Sequence, residues 1–458
     1  MSAVEVRDAV ARRLEQALLP GCGLVLAFAA LALGATPAWA LAATVLLVLA
    51  LLGVWLLAGA VQGEISLYLP ALVLPVLAVF VLACLQGFAG LSVYPPATHE
   101  AVWELAAAGG LFLLLVNQFA VGRRRETFAS ALVLFAFFLA VFAILQGLSF
   151  SGKIYWSWPA PRGSSPFGPF INRNHYAAWG LMVLPLAWAK FSERRSRLEL
   201  RAFWGLAVLV IGVSILFSRS RAGLGLFLLA FPLYAWLSRP AKRGASRRVH
   251  PERVHRERVH PERVHRERAL ALGLGVGLVL LAGVVTLAVD SGALLARWPG
   301  VAELFIHPES LDEHRWQIWR DTWPMIRDHV WLGSGLETYG VLSDSYRSFY
   351  SNLRWLQAHN DYLQWLAETG LVGAGLALWF LVALARRGAE RLRQASSGTE
   401  RRLVAAALTG CLLALLHSLV DFPLRIPANA LLFAALLAMI AAPASPPPAG
   451  PARASEHS

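Results

Sequence analysis

The chain has 458 residues, 57% of them hydrophobic, with a mean hydropathy of +0.55 and a formal net charge of +13. So apolar a composition excludes an ordinary soluble domain and points to a polytopic membrane protein. The positive charges lie in short clusters between apolar runs, which fits membrane orientation and not nucleic-acid binding.

In chain order, residues 1–16 read as an amphipathic segment at the cytoplasmic interface. Arg12 and Arg13, an apolar run and Pro37-Ala38-Trp39-Ala40 imitate a secretory signal, yet the many later spans predict a retained first helix. Twelve spans of near-membrane length follow, at 17–35, 37–61, 67–91, 101–121, 127–149, 175–190, 202–217, 222–238, 269–290, 366–385, 403–421 and 426–442. The expected fold is an all-α polytopic membrane protein of about 12 transmembrane helices. Residues 17–290 hold the first nine, 291–365 form one large extracytoplasmic loop, 366–442 hold the last three, and 443–458 form a Pro- and Ala-rich disordered tail.

Charge tests this plan. With the N-terminus inside, 29 of the 41 Lys and Arg residues fall in cytoplasmic segments, chiefly 122–126, 190–201, 239–268 and 386–402. The positive-inside rule then puts loop 291–365 outside and both termini in the cytoplasm. Residues 249–268 repeat VHPERVHRER twice; the regular histidines read as a solvated low-complexity linker, not a metal site. Cys22, Cys84 and Cys411 sit in apolar stretches without ligand spacing, so neither a disulfide nor a metal site is expected from them.

The long polar and aromatic stretch Leu311–Gly370 stands apart from the apolar runs. Within it, a helix over Arg315–His329 puts Trp316, Trp319, Trp323 and Ile326 on one face, with Arg315 beside it. That suits either plain anchoring in the interface or an arginine held near lipid phosphates. Farther on, His359-Asn360-Asp361 precedes a helix that Asn360 or Asp361 caps. His359 reads as part of that capped turn, or as a base for a hydroxyl nucleophile.

Three other stretches share the outer side. Segment 150–175 holds too many Gly and Pro residues for a continuous helix, and reads as a loop or re-entrant turn. Asn172 and Asn174 there suit sugar hydroxyls, or Asn174 is simply a helix cap. Arg219 and Arg221, in the short turn Ser218–Gly223, either snorkel from helix ends or present guanidinium forks to phosphate. Asp421 and Arg425, in His417–Arg425, form an ion pair or orient groups of a site.

Together these stretches resemble the O-antigen ligase and polymerase superfamily of bacterial envelope glycosyltransferases. The matching residues are SRSRAG at 218–223, R-x-x-x-W-R at 315–320, GSGLETYG at 333–340 and HNDYLQWLAETG at 359–370. FINRNHYAAW at 170–179 and HSLVDFPLRIP at 417–427 are similar to the family too. The resemblance covers roughly 160–430 and the overall span plan, but not the repeat at 249–268.

The resemblance implies a fold like the C-type membrane glycosyltransferases and a site outside the inner membrane of a bacterium. The donor is then an undecaprenyl-diphosphate-linked glycan and the acceptor a hydroxyl of lipid A–core, of a growing glycan or of a protein. Metal, nucleotide and other cofactors are not expected, and the implied displacement inverts the anomeric centre. By motif position Arg221 and Arg315 match the arginines that bind the diphosphate, and His359 matches the histidine that activates the acceptor hydroxyl. Arg219, Asn172, Asn174, Asn360, Asp361, Asp421 and Arg425 are expected to support them. A transporter or flippase is the competing reading, but the spans carry no internal repeat and the polar residues gather on one face.

Overall fold

The computed structural model describes residues 2–65, 67–121, 123–193, 196–239, 313–350 and 355–444. The expected span at 269–290, the basic loop 239–268 beyond its first residue, and the tail from 445 lie outside the described residues. Among those described, thirteen α-helices follow in order: α1 Ala3–Leu31, α2 Ala38–Gln62, α3 Val73–Phe88, α4 Pro95–Gln118, α5 Arg124–Leu148, α6 Arg173–Phe191, α7 Leu198–Phe217, α8 Arg221–Leu237, α9 Glu313–Asp328, α10 Tyr339–Tyr346, α11 Asp361–Gln394, α12 Gly398–His417 and α13 Pro427–Ala441. Two short strands, Lys153–Ile154 and Trp158–Pro159, pair antiparallel between α5 and α6.

Local chemistry sets the starts of these helices. Ser2 and Glu5 form a reciprocal capping box on α1, and α1 then runs unbroken to Leu31 through Pro20. Residues 3–16 continue into the first expected span as one helix. Ser220, Asn360 and Ser397 each accept a backbone N–H of the first turn of α8, α11 and α12, satisfying donors that a helix start leaves unpaired.

Six helices, α1, α2, α4, α5, α7 and α11, are long and apolar enough to cross a membrane, and α3, α8 and α13 are shorter apolar helices. The bundle is built around α6, α12 and α13. Nearly every residue of α6 from His175 to Lys190 and of α13 is buried, and α6 packs against α12, α7, α8 and α5 while α13 packs against α4 and α12. The outer helices α1, α2, α3 and α11 keep large apolar residues exposed, such as Leu24, Leu46, Leu77 and Leu378. This inside-out distribution suits a lipid surround, where apolar side chains need no shelter from water.

The sequence reading placed a simple span at 366–385. The helix starts earlier, at Asp361, and breaks at Gly370 (φ 62°, ψ −161°). A loop, 330–338, docks on the break. Its Ser334 and Gly335 N–H groups donate to the carbonyls of Ala367 and Glu368 at 3.1 and 3.0 Å, and its Val330 and Trp331 carbonyls accept from Leu371 and Val372 at 2.8 and 3.1 Å. The groups orphaned by the break are thus paired. The approach is close enough that a Cβ on Gly333 would lie 2.0 Å from the Glu368 carbonyl carbon. From α3, the buried Gln86 side chain donates to the Leu332 and Glu368 carbonyls at 2.6 and 2.8 Å and accepts from Leu336 N–H at 3.2 Å.

A second small core joins α9, α10 and the start of α11 through Ile318, Met325, Ile326, Tyr339, Ala358 and Ala367. Ile318, Thr322, Met325 and Ile326 are buried, whereas Trp316 and Trp323 are 62% and 51% exposed. The helix turns its aliphatic stripe and Trp319 inward and leaves Trp316 and Trp323 outside.

Candidate active site

His359 is held from both sides. The preceding residue, Ala358, donates its N–H to the buried Gln364 side chain at 2.8 Å and accepts from Trp319 Nε1 at 2.9 Å. The following residue, Asn360, caps α11 by accepting from Leu363 N–H at 3.0 Å. Between them His359 adopts φ 53°, a left-handed conformation that costs a non-glycine residue about 1–2 kcal/mol. Its ring packs edge-on against Trp355 and Phe422, at 5.8 and 5.0 Å between centroids.

Nδ1 of His359 lies 3.4 Å from Oδ1 of Asp421. The other Asp421 oxygen accepts from Asn174 Nδ2 at 2.6 Å, and Oδ1 also accepts the Phe422 N–H at 3.0 Å. Burial alone would raise the Asp421 pKa. The hydrogen bond with His359 and the neighbouring His175, His359 and His417 outweigh it and hold the carboxylate well below its usual range. A charged carboxylate accepts only, so in the neutral imidazole this contact favours the tautomer with its proton on Nδ1 and its lone pair on Nε2. The arrangement thus supplies an imidazole aimed by a carboxylate with its second nitrogen open to accept a proton.

Asn172, not Asn174, caps α6, accepting from Asn174 N–H at 2.9 Å. That frees the Asn174 side chain for Asp421. Asp421 and Arg425 do not pair. Arg425 instead meets Glu337 at 2.6 Å, Glu368 at 2.8 Å and Asp361 at 3.4 Å. Burial opposes its charge, but Glu368, Glu337 and Asp361 push its pKa up. Three residues separate Asp421 from Arg425, but Pro423 starts a 3₁₀ turn between them, which sends Arg425 to the acidic side of α11.

Arg315 reaches the same turn from α9, with Nη1 donating to the Val420 carbonyl at 2.9 Å. His359, Asn174, Asp421 and Arg315 therefore meet, from α6, α9, the start of α11 and the α12–α13 loop. Asp361 sits one step away, donating its N–H to the Ser418 carbonyl at 2.9 Å and accepting from Ser418 Oγ at 2.8 Å. Arg221 is exposed at the first turn of α8. Its helix is held to α6 at Gly223, where a Cβ would lie 2.8 Å from Ala177 Cβ, one turn from Asn174. Among the described residues no hydrogen bond or ion pair joins Arg221 to the His359 group. Arg219 is exposed in the preceding turn with φ 55°.

Sequence reading missed His175 and His417, both buried beside Asp421, and Glu337, Glu368 and Gln364, which hold Arg425 and the His359 turn. A signal was present: His417 is four residues before Asp421, and His175 follows Asn174. Among the described residues no group of three or more His, Cys, Asp or Glu is arranged to hold a metal ion.

Fold and site define a multi-pass helical membrane protein in which a histidine–carboxylate pair meets an arginine at one end of the bundle. Residues 206–380 match the family described as O-Antigen ligase. The match spans 175 of the 458 residues and makes that stretch similar to the O-antigen ligase family. The matched stretch includes Arg221, Arg315 and His359; Asn174, Asp421 and Arg425 lie outside it. No curated protein matches the chain.

Proposed function

We propose that this protein is an O-antigen ligase-like glycosyltransferase at the outer face of the bacterial inner membrane. It transfers a glycan from undecaprenyl diphosphate to an acceptor hydroxyl without a metal, in a single inverting displacement. His359 Nε2 takes the hydroxyl proton, Asp421 holds the ring and stabilises the imidazolium, and Arg221 and Arg315 stabilise charge developing on the leaving diphosphate.

The observation that carries this reading is the 3.4 Å approach of His359 Nδ1 to Asp421 beside Arg315. The contact is long for a hydrogen bond, and catalytic contacts of this kind tighten once substrate fills the site. The planar guanidinium fork of each arginine suits a phosphate group.

The test is transfer in vitro from a defined undecaprenyl-diphosphate glycan to purified acceptor, with the product's anomeric configuration read by NMR. Inverted product formed in the presence of chelator supports the reading. Absence of transfer to glycolipid, glycan or protein acceptors, or a strict Mg²⁺ requirement, would overturn it.

A further inference from the structure

A cavity of about 330 Å³ runs between α3, α4, α11 and α13. Its shaft is apolar, lined by residues such as Val79, Ala108, Phe112 and Phe433, and its end is polar, with Glu104, Glu337, Asp361, Ser418 and Arg425. That end touches the candidate base's own turns. Asp361 is two residues after His359, and Ser418 is three before Asp421. Glu104, half-buried on α4, makes no hydrogen bond or ion pair with a described residue, unlike Glu337, which binds Arg425. A carboxylate on an apolar helix is costly unless it serves a partner.

The charge at this end decides what can occupy it. Glu337, Glu368 and Asp361 already engage Arg425, the one cation lining the cavity among the described residues, which leaves no guanidinium free there for a diphosphate. Arg315 reaches the His359 turn from α9, and Arg221 sits at the α6–α8 contact; neither arginine lines this cavity. Carboxylates instead accept hydrogen bonds from hydroxyl or amine groups.

Resting on the function proposed above, we infer that this cavity is the acceptor pocket. Its apolar shaft takes the hydrophobic anchor of the acceptor, and Glu104 reads hydroxyl or amine groups near the reacting sugar. The acceptor is therefore an amphiphilic glycoside.

Gly109 tests the shaft without threatening the fold, because a Cβ built there meets open space. With alkyl glycoside acceptors, Gly109→Leu should raise the acceptor KM at least tenfold while donor KM and kcat stay within twofold. Ala108→Phe, an independent plug, should do the same. Glu104→Leu, which removes both the donor and the acceptor atoms of that carboxyl, should raise the KM of the same acceptors while donor KM stays within twofold. A rise in donor KM on plugging would assign the cavity to the donor's chain, and unchanged acceptor KM in both plugged variants would leave it without a substrate; either result overturns the inference. If the wild-type protein transfers nothing, the proposed function has failed instead. The pocket is then judged by binding of the same alkyl glycoside to purified protein, which Gly109→Leu must weaken for the inference to stand.

Discussion

At the scale of single residues, the strained backbone of His359 separates its chemical role from a structural one. His359→Ala and His359→Gln should slow transfer by roughly 10² to 10⁴, the usual contribution of a positioned base, while donor binding persists. His359→Gly should be equally slow, yet unfold at the same or a higher temperature, because glycine adopts φ 53° without the left-handed penalty. Near wild-type transfer by these variants would leave His359 as a turn residue only. Asp421→Asn should also slow transfer by roughly 10² or more, since an amide no longer fixes the imidazole proton on Nδ1.

Asp421 also sets a pH signature. Its folded pKa is depressed, so its contribution to stability is present above the unfolded carboxylate value of about 3.9 and is lost as pH falls through the lower folded value. The difference in unfolding temperature between wild type and Asp421→Asn should stay constant from about pH 8 to 5 and shrink only below about pH 4. A difference that already shrinks between pH 7 and 5 would contradict a depressed carboxylate. Arg221→Lys and Arg315→Lys should each lose much of the transfer rate, because a point charge does not reproduce the guanidinium fork. Wild-type rates in both, at equal protein level, would reject their diphosphate role.

At the scale of elements, the break in α11 and the loop docked on it hold the site. Gly333→Ala puts a methyl group against the Glu368 backbone, in a φ 71° conformation that alanine resists. It should undock 330–338, expose Glu368 and Gln364, and loosen the turn carrying His359. Gln86→Leu keeps the volume but leaves the Leu332 carbonyl without its side-chain donor and the Leu336 N–H without its acceptor. A cost of about 1–3 kcal/mol follows for buried groups left unpaired. Limited proteolysis or hydrogen exchange of the loop is the measurement. Unchanged protection in both variants would show that the loop is held by other contacts.

At the scale of the whole molecule, the charge asymmetry predicts that 311–361 lies outside the cytoplasmic membrane and 239–268 inside. With Cys22, Cys84 and Cys411 replaced, single cysteines in 311–361 should react with an impermeant reagent in cells whose outer membrane is permeabilised. Those in 239–268 should react only after lysis. The reverse pattern would invert the topology and remove the candidate site from the outer face.

Much of this protein was legible in the sequence because a membrane makes hydrophobicity nearly one-dimensional. Apolar runs of near-bilayer length and flanking charges locate helices without tertiary knowledge, and capping chemistry offered Asn360 or Asp361 as the cap of α11, of which Asn360 is the one. The motif positions of Arg315, His359, Asn174 and Asp421 were legible too, but their meeting was not. Asp421 took His359 and Asn174 in place of Arg425 because the 3₁₀ turn at Pro423 rotates the two side chains apart. Asn174 was free to do so because Asn172 is the α6 cap. The break at Gly370 and the roles of Gln86, Gln364 and Glu368 depend on a loop docking from more than thirty residues away in sequence, with Gln86 farther still. Periodicity and propensity report each segment's own preference; which buried polar group pairs with which is fixed only when distant segments pack.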